Sequence, residues 1–232
     1  TYIHISLSPL ILIRDASVVY QSEFQNDSTS AGCQIRNDAY VVLKFRIIAV
    51  FGLFKSHKHS DVAHALYSAI LIQARLPVFY INFGVQDTVD GRFDMIVLHA
   101  HILFNRLKEG AAEDQDIAQA VFDLMFADMD QNLREMGVGD TGVSIRVKAM
   151  AEAFYGRATA YADGLREDDD TILIAALKRN LYRNSKANDE KIEGIAKYVR
   201  YQVAHLNSQN LARLNRGTVT FISVNHYKEG NP

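Results

Sequence analysis

The segment IAQAVFDLMFADMDQNLREM, residues 117–136, decides the fold of this 232-residue chain. Its apolar residues recur every three or four positions, which is the spacing of one face of an α-helix. The stripe consists of Ala118, Phe122, Met125, Phe126, Met129, Leu133 and Met136. Three further apolar residues widen it, so we expect a helix that is buried over much of its circumference.

The same periodicity continues on both sides of this segment. Downstream, residues 143–165 carry a second long apolar stripe, and shorter stripes predict helices over residues 168–182 and 189–214. Residues 218–224 follow as a short segment that is either a strand or a frayed tail.

Upstream of residue 117, two more helices are predicted. They cover residues 60–74 and 87–108, and Pro77 forces a break between them. No proline occurs from residue 78 to residue 231, as expected of a helical domain. The sequence therefore predicts an all-α fold, a single domain of six to seven helices with a short extended tail at its C-terminus.

The beginning of the chain has a different character. Residues 1–49 lack helical periodicity, and the first methionine is Met95. We interpret residues 1–49 as an extension that is either disordered or not native, residues 50–183 as the helical domain, and residues 184–232 as a C-terminal helix and tail packed on or appended to it. The most apolar stretch, residues 40–54, carries Lys44 and Arg46, so we predict no membrane-spanning helix there.

Charge is distributed unevenly along the chain. Residues 87–170 hold 18 acidic and 8 basic residues, a net charge of −10, whereas residues 178–232 hold 10 basic and 4 acidic residues, a net charge of +6. The basic segment either binds an anionic partner or neutralises the acidic segment within one fold. The single cysteine, Cys33, cannot form a disulfide within the chain, which favours a reducing compartment.

The motif most suggestive of a cofactor is Gly-Val-Gly-Asp-Thr-Gly at residues 137–142, which has the glycine spacing of a dinucleotide-binding loop. That loop requires a preceding strand, and here an amphipathic helix precedes it. We interpret the motif as a turn between two helices, with Gly137 directly after the first helix and Asp140 or Thr141 capping the second.

The acidic residues of the central helix do not form a metal site. Asp123 and Asp130 share a face, but Asp128 lies about 140° away from Asp123 around the helix, so the three cannot converge on one ion. Asp128 falls on the apolar side, where an unpaired carboxylate is costly. We therefore predict that it forms a structural ion pair with Arg146 or Arg157 of the next helix, and we predict no catalytic residue, metal or cofactor.

Longer strings resemble a known family. Residues 122–161, FDLMFADMDQNLREMGVGDTGVSIRVKAMAEAFYGRATAY, together with residues 65–107 and 176–182, resemble the ubiquinol–cytochrome c chaperone family over residues 51–183. The resemblance implies a helical, non-enzymatic chaperone that binds newly made cytochrome b during assembly of ubiquinol–cytochrome c reductase. It also implies contact with the ribosomal exit region and a small partner protein.

A client rich in transmembrane helices requires an apolar surface on its chaperone. The candidate client-binding residues are Tyr67, Phe79, Tyr80, Phe83 and Tyr155, with Met125, Met129, Met136 and Met150 as adaptable contacts. Ordinary core packing is the alternative for each of them. The basic C-terminal segment is a candidate contact for ribosomal RNA or for the inner-membrane surface.

The expected location is the cytoplasm, with peripheral attachment to the inner membrane, or the matrix side of that membrane in a eukaryote. Two alternative functions stay open at this point. One is a helical enzyme or carrier for a quinone-like or isoprenoid-like molecule, and the other is a stable adaptor subunit of the mature complex.

Overall fold

The structure, a computed structural model, describes residues 59–224, and every structural statement below concerns that range. The helices in chain order are α1 Ser60–Ala74, α2 Pro77–Ile81, α3 Val89–Leu107, α4 Ala112–Glu135, α5 Asp140–Arg166, α6 Thr171–Asn180, α7 Asp189–Ser208 and the single turn α8 Leu211–Leu214. There is no β-strand between residues 59 and 224, so the all-α prediction is confirmed. The predicted extension, residues 1–49, and the apolar stretch 40–54 lie outside the described residues.

Helix α3 forms the centre of the fold. It packs against α1, α4, α5 and α7, and 13 of its 19 residues are buried. Thr88 caps the N-terminus of α3, because its Oγ1 accepts a hydrogen bond of 3.1 Å from the Gly91 amide. Helix α4 was expected to be buried over much of its circumference, but it buries only 9 of its 24 residues.

The turn between α4 and α5 contains the glycine-rich motif. Gly137 has a φ of 81°, a conformation that glycine adopts without steric cost. Its amide donates to the Arg134 carbonyl at 2.9 Å, and the Val138 amide donates to the Leu133 carbonyl at 3.1 Å. These bonds end α4, so the predicted helix–helix turn is confirmed. The predicted cap is wrong, because Gly139 precedes α5 and Asp140 is already helical.

The last long helix is shorter than predicted. Residues 189–214 were expected to form one helix, but α7 ends at Ser208 and α8 begins at Leu211. Gln209 adopts an extended conformation between them, and the Asn210 side chain accepts a hydrogen bond from the Ala212 amide. Residues 218–223 have no regular secondary structure and run back along α7.

One run of the described residues is long and apolar enough to cross a membrane by length and composition alone. It is Ser60–Ile81, 22 residues with a mean hydropathy of 1.3, whereas the sequence had placed the most apolar stretch at residues 40–54. The run is divided at Leu76, because Pro77 begins the new helix α2. Helix α1 also packs against α3 and α4, so one of its faces belongs to the core.

Two glycines of α5 predict opposite effects of alanine on stability. A Cβ at Gly164 would lie 2.6 Å from the Leu173 Cα of α6, whereas a Cβ at Gly156 would meet nothing within 4 Å. We expect Gly164→Ala to lower the free energy of unfolding by about 1–3 kcal/mol, because the backbones of α5 and α6 must separate. Gly156→Ala should raise it by about 0.5–1 kcal/mol through helix propensity. Urea unfolding of both variants checks this, and equal shifts would contradict the close contact.

Candidate functional site

Most of the aromatic residues predicted to contact a client are buried. Phe79 is fully buried, and Tyr67 and Phe83 are each only 6 % exposed. Tyr80 and Tyr155 are half-buried. The prediction that Tyr67, Phe79 and Phe83 offer an open docking surface is therefore wrong for this conformation, because all three pack in the core.

The methionines predicted to contact a client are also buried or half-buried. Met125 is fully buried, Met129 and Met150 are less than a tenth exposed, and Met136 is half-buried against the core. Their side chains fill the interior of the bundle, so core packing, the alternative stated above, is the correct interpretation for them.

The two most exposed large apolar side chains of the described residues lie on α1 and α2. Ile72 of α1 is 70 % exposed and Ile81 of α2 is 74 % exposed. Leu76 and Val78, between them in the chain, are half-buried. Only 39 % of the most apolar window in Ser60–Ile81 is buried, so this part of the chain, the α1–α2 surface, offers apolar side chains to solvent.

Asp128 bonds to a tyrosine that the sequence analysis did not name as its partner. Its Oδ2 accepts a hydrogen bond of 2.8 Å from the Tyr67 hydroxyl, which joins α4 to α1. Burial and the adjacent Asp128 carboxylate raise the pKa of Tyr67, so this hydroxyl stays protonated and donates. Arg146 is half-buried on α5. Sequence analysis also offered Arg157 as a partner for Asp128, and that assignment is wrong, because Arg157 binds the carboxylate of α3 described next.

Asp94 of α3 is the central charge of the buried ion cluster, which consists of Asp94, Arg157 and Arg183. Asp94 is 2 % exposed, its Oδ1 lies 2.9 Å from Arg157 Nε, and its Oδ2 accepts a hydrogen bond of 2.8 Å from Arg183 Nη1. Burial raises the pKa of the Asp94 carboxyl, and the two guanidinium groups oppose that rise. The cluster joins α3, α5 and the segment after α6.

The basic C-terminal segment is partly neutralised within the fold. Besides Arg183, Lys178 pairs with Asp189 at 2.6 Å, and Arg200 pairs with Asp170 and donates to the Glu167 carbonyl at 2.8 Å. The segment also contains exposed basic side chains, namely those of Arg179, Lys186, Lys197, Arg213 and Arg216. Neutralisation within the fold is therefore observed for part of the segment, and binding of an anionic partner by the exposed residues stays a prediction.

A buried series of side-chain hydrogen bonds connects α3 to α7 and α1. His99 Nδ1 lies 2.8 Å from the Met95 carbonyl, so this nitrogen carries the proton, and Nε2 accepts a hydrogen bond of 2.8 Å from the Tyr198 hydroxyl. Gln73 of α1 donates to the Tyr198 oxygen at 2.9 Å and to the Ile222 carbonyl at 3.3 Å. This series connects the centre of the fold to the C-terminal tail.

Three glutamines hold that tail by its main chain. Gln209 Oε1 accepts from the Thr220 amide at 3.0 Å, and its Nε2 donates to the Thr220 carbonyl at 2.6 Å. Gln202 does the same for Ile222, with distances of 3.0 Å and 2.9 Å. We call Gln73, Gln202 and Gln209 the glutamine clamp.

The buried histidines predict a loss of stability in acid. Burial lowers the pKa of His99 and of His101 from 6.5 to about 4. Between these pH values the unfolded chain binds a proton that the folded chain excludes. The free energy of unfolding should therefore fall, as pH drops from 6.5 to 4, by about 1.4 kcal/mol per pH unit for each histidine.

His99→Gln tests this expectation, since glutamine retains an acceptor for Tyr198. Urea unfolding at several pH values measures the free energy of unfolding. Between pH 6.5 and 4 this free energy should fall less steeply for the variant than for the wild type, by about 1.4 kcal/mol per pH unit. An unchanged slope would mean that His99 is protonated in the folded protein.

No group of three or more histidine, cysteine, aspartate or glutamate side chains that could hold a metal occurs within residues 59–224.

Comparison with known proteins gives a consistent result. The family described as ubiquinol–cytochrome C chaperone matches residues 82–221. The match extends beyond the resemblance over residues 51–183, because it includes α7, and it begins after α2. The family match therefore includes the C-terminal helix α7.

Individual relatives agree with the family. The ubiquinol-cytochrome-c reductase complex assembly factor 1 of Xenopus laevis is 27 % identical over 155 residues, which are 67 % of this chain and 77 % of that protein. The human protein of that name is 25 % identical over 170 residues, 71 % of this chain but 56 % of its own length. The crystal structure of the Cbp3 homolog from Brucella abortus superposes with a TM-score of 0.65 and 33 % identity, covering 71 % of this chain and 91 % of that one.

Proposed function

Because the chain belongs to the ubiquinol–cytochrome c chaperone family, we propose that it binds newly made cytochrome b and holds it during assembly of the reductase. An assembly role is supported by the relatives, which are assembly factors of the ubiquinol–cytochrome c reductase complex by name. The proposed role is non-enzymatic, since a chaperone acts by binding and release.

The observation that carries the proposal is the α1–α2 surface. Ile72 and Ile81 are 70 % and 74 % exposed on the most apolar run of the described chain. Cytochrome b is a membrane protein, and its transmembrane segments are apolar before they enter lipid. Burying two isoleucines against such a segment contributes about 1.5–3 kcal/mol for each side chain.

The test combines gene deletion with a surface variant. Deletion in the source organism should lower the cytochrome b content of the reductase, measured by the absorbance of b-type haem, and the wild-type gene should restore it. The double variant Ile72→Gln, Ile81→Gln should restore it poorly and should retain about tenfold less cytochrome b on co-purification, as expected for a loss of about 1.4 kcal/mol or more.

Ile145→Gln is the matched control, because Ile145 is 65 % exposed and belongs to α5 and not to α1 or α2. It should restore cytochrome b as well as the wild type does. Normal b-type haem after deletion would refute the proposed function. Normal haem with the double variant alone would refute only the choice of surface.

We also propose a location and further partners. The exposed basic residues near the end of the described chain, such as Lys197, Arg213 and Arg216, suit an anionic partner, either the ribosomal exit region or the inner-membrane surface. On this proposal the protein acts beside the inner membrane, on the cytoplasmic or matrix face, together with a small partner protein. Binding to ribosomes or anionic liposomes that does not weaken with added salt would contradict the electrostatic contact.

A chaperone and a stable adaptor subunit differ in when they stay bound. A chaperone should be enriched with unassembled cytochrome b and depleted from the mature reductase. Equimolar recovery with the mature complex would favour the adaptor.

A further inference from the structure

The glutamine clamp recognises an extended main chain. At Thr220 and again at Ile222, one glutamine amide bonds both the N–H and the C=O of the same residue. A residue in a neighbouring antiparallel strand exchanges the same pair of bonds with the residue opposite it. Gln202 of α7 and Gln209, the residue that follows this helix, therefore provide with two side chains the hydrogen bonds that the edge of a β-sheet provides with its backbone.

The hydrogen bonds of the clamp depend little on the amino-acid sequence of the tail. The bonds to Thr220 and Ile222 involve main-chain atoms alone, and the Thr220 side chain faces solvent. Successive side chains in an extended segment point to opposite sides, so the ring between them, that of Phe221, points inward. It meets the His99 ring edge-on, with 5.5 Å between the centroids.

The burial of the clamp restricts what can occupy this groove. Gln202 is fully buried, and Gln73 and Gln209 are each 8 % exposed. A buried amide that loses its partner is costly, so the groove requires an occupant with free N–H and C=O groups. A helix cannot supply them along its length, because its main-chain groups bond within the helix. An extended segment can.

The tail is attached in a way that allows it to leave. It follows Gly217, whose φ is 79°, after the end of α8. Thr218, Thr220 and Ser223 are exposed, Phe221 and Ile222 are half-buried, and Val224 is the buried residue at the end of the described chain. Rotation at Gly217 would release residues 218–223 without unwinding α7 or α8.

From these contacts we propose that the groove between α1, α3 and α7 is a binding site for an extended segment of the client polypeptide that carries an aromatic residue, and that residues 218–224 are its occupant in the free chain. The partner would pair with the clamp by strand addition, the mode in which main-chain bonds give affinity and one pocket gives selectivity. The inference rests on the proposed function, because it takes the occupant to be a client segment that has not yet become helical.

A peptide exchange experiment tests the groove on the full chain. The probe is a fluorescent peptide, Gly-Thr-Val-Thr-Phe-Ile-Ser-Val, which has the sequence of residues 217–224, and binding is measured by anisotropy. Phe221→Ala in the chain should weaken its own tail, so this variant should bind the peptide about tenfold more tightly than the wild type does, a difference of about 1.4 kcal/mol. The peptide with alanine in place of phenylalanine should bind poorly.

Methylation of the peptide nitrogens that correspond to Thr220 and Ile222 supplies the decisive control. It removes the two N–H groups that donate hydrogen bonds to Gln209 and Gln202, and it leaves every side chain of the peptide in place. Binding to Phe221→Ala should then be lost. Binding that survives methylation, or no binding to either form of the chain, would overturn the proposal.

Hydrogen exchange on the unsubstituted chain covers the case in which Phe221→Ala does not fold. Excess peptide should speed exchange at the Thr220 and Ile222 amides of the chain and leave the amides of α7 unchanged. A wild-type chain that instead dimerises at high concentration through its tail would assign the groove to a second copy and overturn the client assignment. These measurements need no cytochrome b, so their failure is distinct from failure of the haem experiment.

Discussion

Phe154→Ala should lower the free energy of unfolding by about 3–5 kcal/mol, the cost of removing a buried phenylalanine side chain. Phe154 of α5 is 2 % exposed. Its ring centroid lies 5.9 Å from that of Phe104 in α3, 5.3 Å from that of Phe122 and 6.2 Å from that of Phe126 in α4. One side chain therefore joins three helices, and its loss leaves a cavity among residues that cannot close together.

Urea unfolding monitored by circular dichroism measures the effect. Ile145→Ala is the control on the same helix, because Ile145 is 65 % exposed, and its effect should stay within about 0.5 kcal/mol. A loss below about 1.5 kcal/mol for Phe154→Ala would mean that the three helices are not packed around this ring.

Arg157→Met should cost about 3 kcal/mol at neutral pH, because it removes one partner from a buried carboxylate. Methionine retains an apolar stem, so the change mainly removes charge. Removing one partner of a buried ion pair costs about 3–5 kcal/mol. The lower end of this range is expected, since Arg183 stays within 2.8 Å of Asp94. The matched control, Arg92→Met, breaks the pair of Arg92 with Asp87, whose side chains are 42 % and 54 % exposed, and should cost less than about 1 kcal/mol.

The pH dependence identifies the origin of that loss. Burial already raises the pKa of Asp94, and removing Arg157 takes away a charge that opposes the rise. A carboxyl group with a raised pKa in the folded state binds protons there before the unfolded chain does, so its penalty disappears as pH falls. The difference between Arg157→Met and the wild type should therefore be largest at neutral pH and smaller in acid. A difference independent of pH would point to lost packing.

The spacing of apolar residues was sufficient to predict the helices, because an amphipathic stripe depends only on neighbours within a few turns. It located the turn at Gly137 and helices α4 and α5, but it began α4 at residue 117, five residues after the helix begins at Ala112. It did not reveal that α3 is the centre, since Asp94 and His99 look like solvent-facing positions. Their burial is stabilised by Arg183 and Tyr198, which lie 89 and 99 residues further along the chain.

The candidate site was predicted less well, for two physical reasons. Aromatic residues such as Phe79 and Phe83 suit an apolar docking surface and an apolar core equally, and only the packing of other helices decides between them. The partner of Arg157 depends on geometry in the same way. Helix α5 packs against both α3 and α4, so the sequence offered Asp128 of α4 while the fold presents Asp94 of α3.

The break at Leu76 and Pro77 limits how the apolar run Ser60–Ile81 can meet a lipid bilayer. Helix α1 has 15 residues and is therefore about 23 Å long, shorter than a hydrocarbon core of about 30 Å. By itself it is too short to cross, although its composition suits lipid. Helix α1 can instead make contact along its length. In that geometry it lies parallel to a membrane surface or to a client helix beside it.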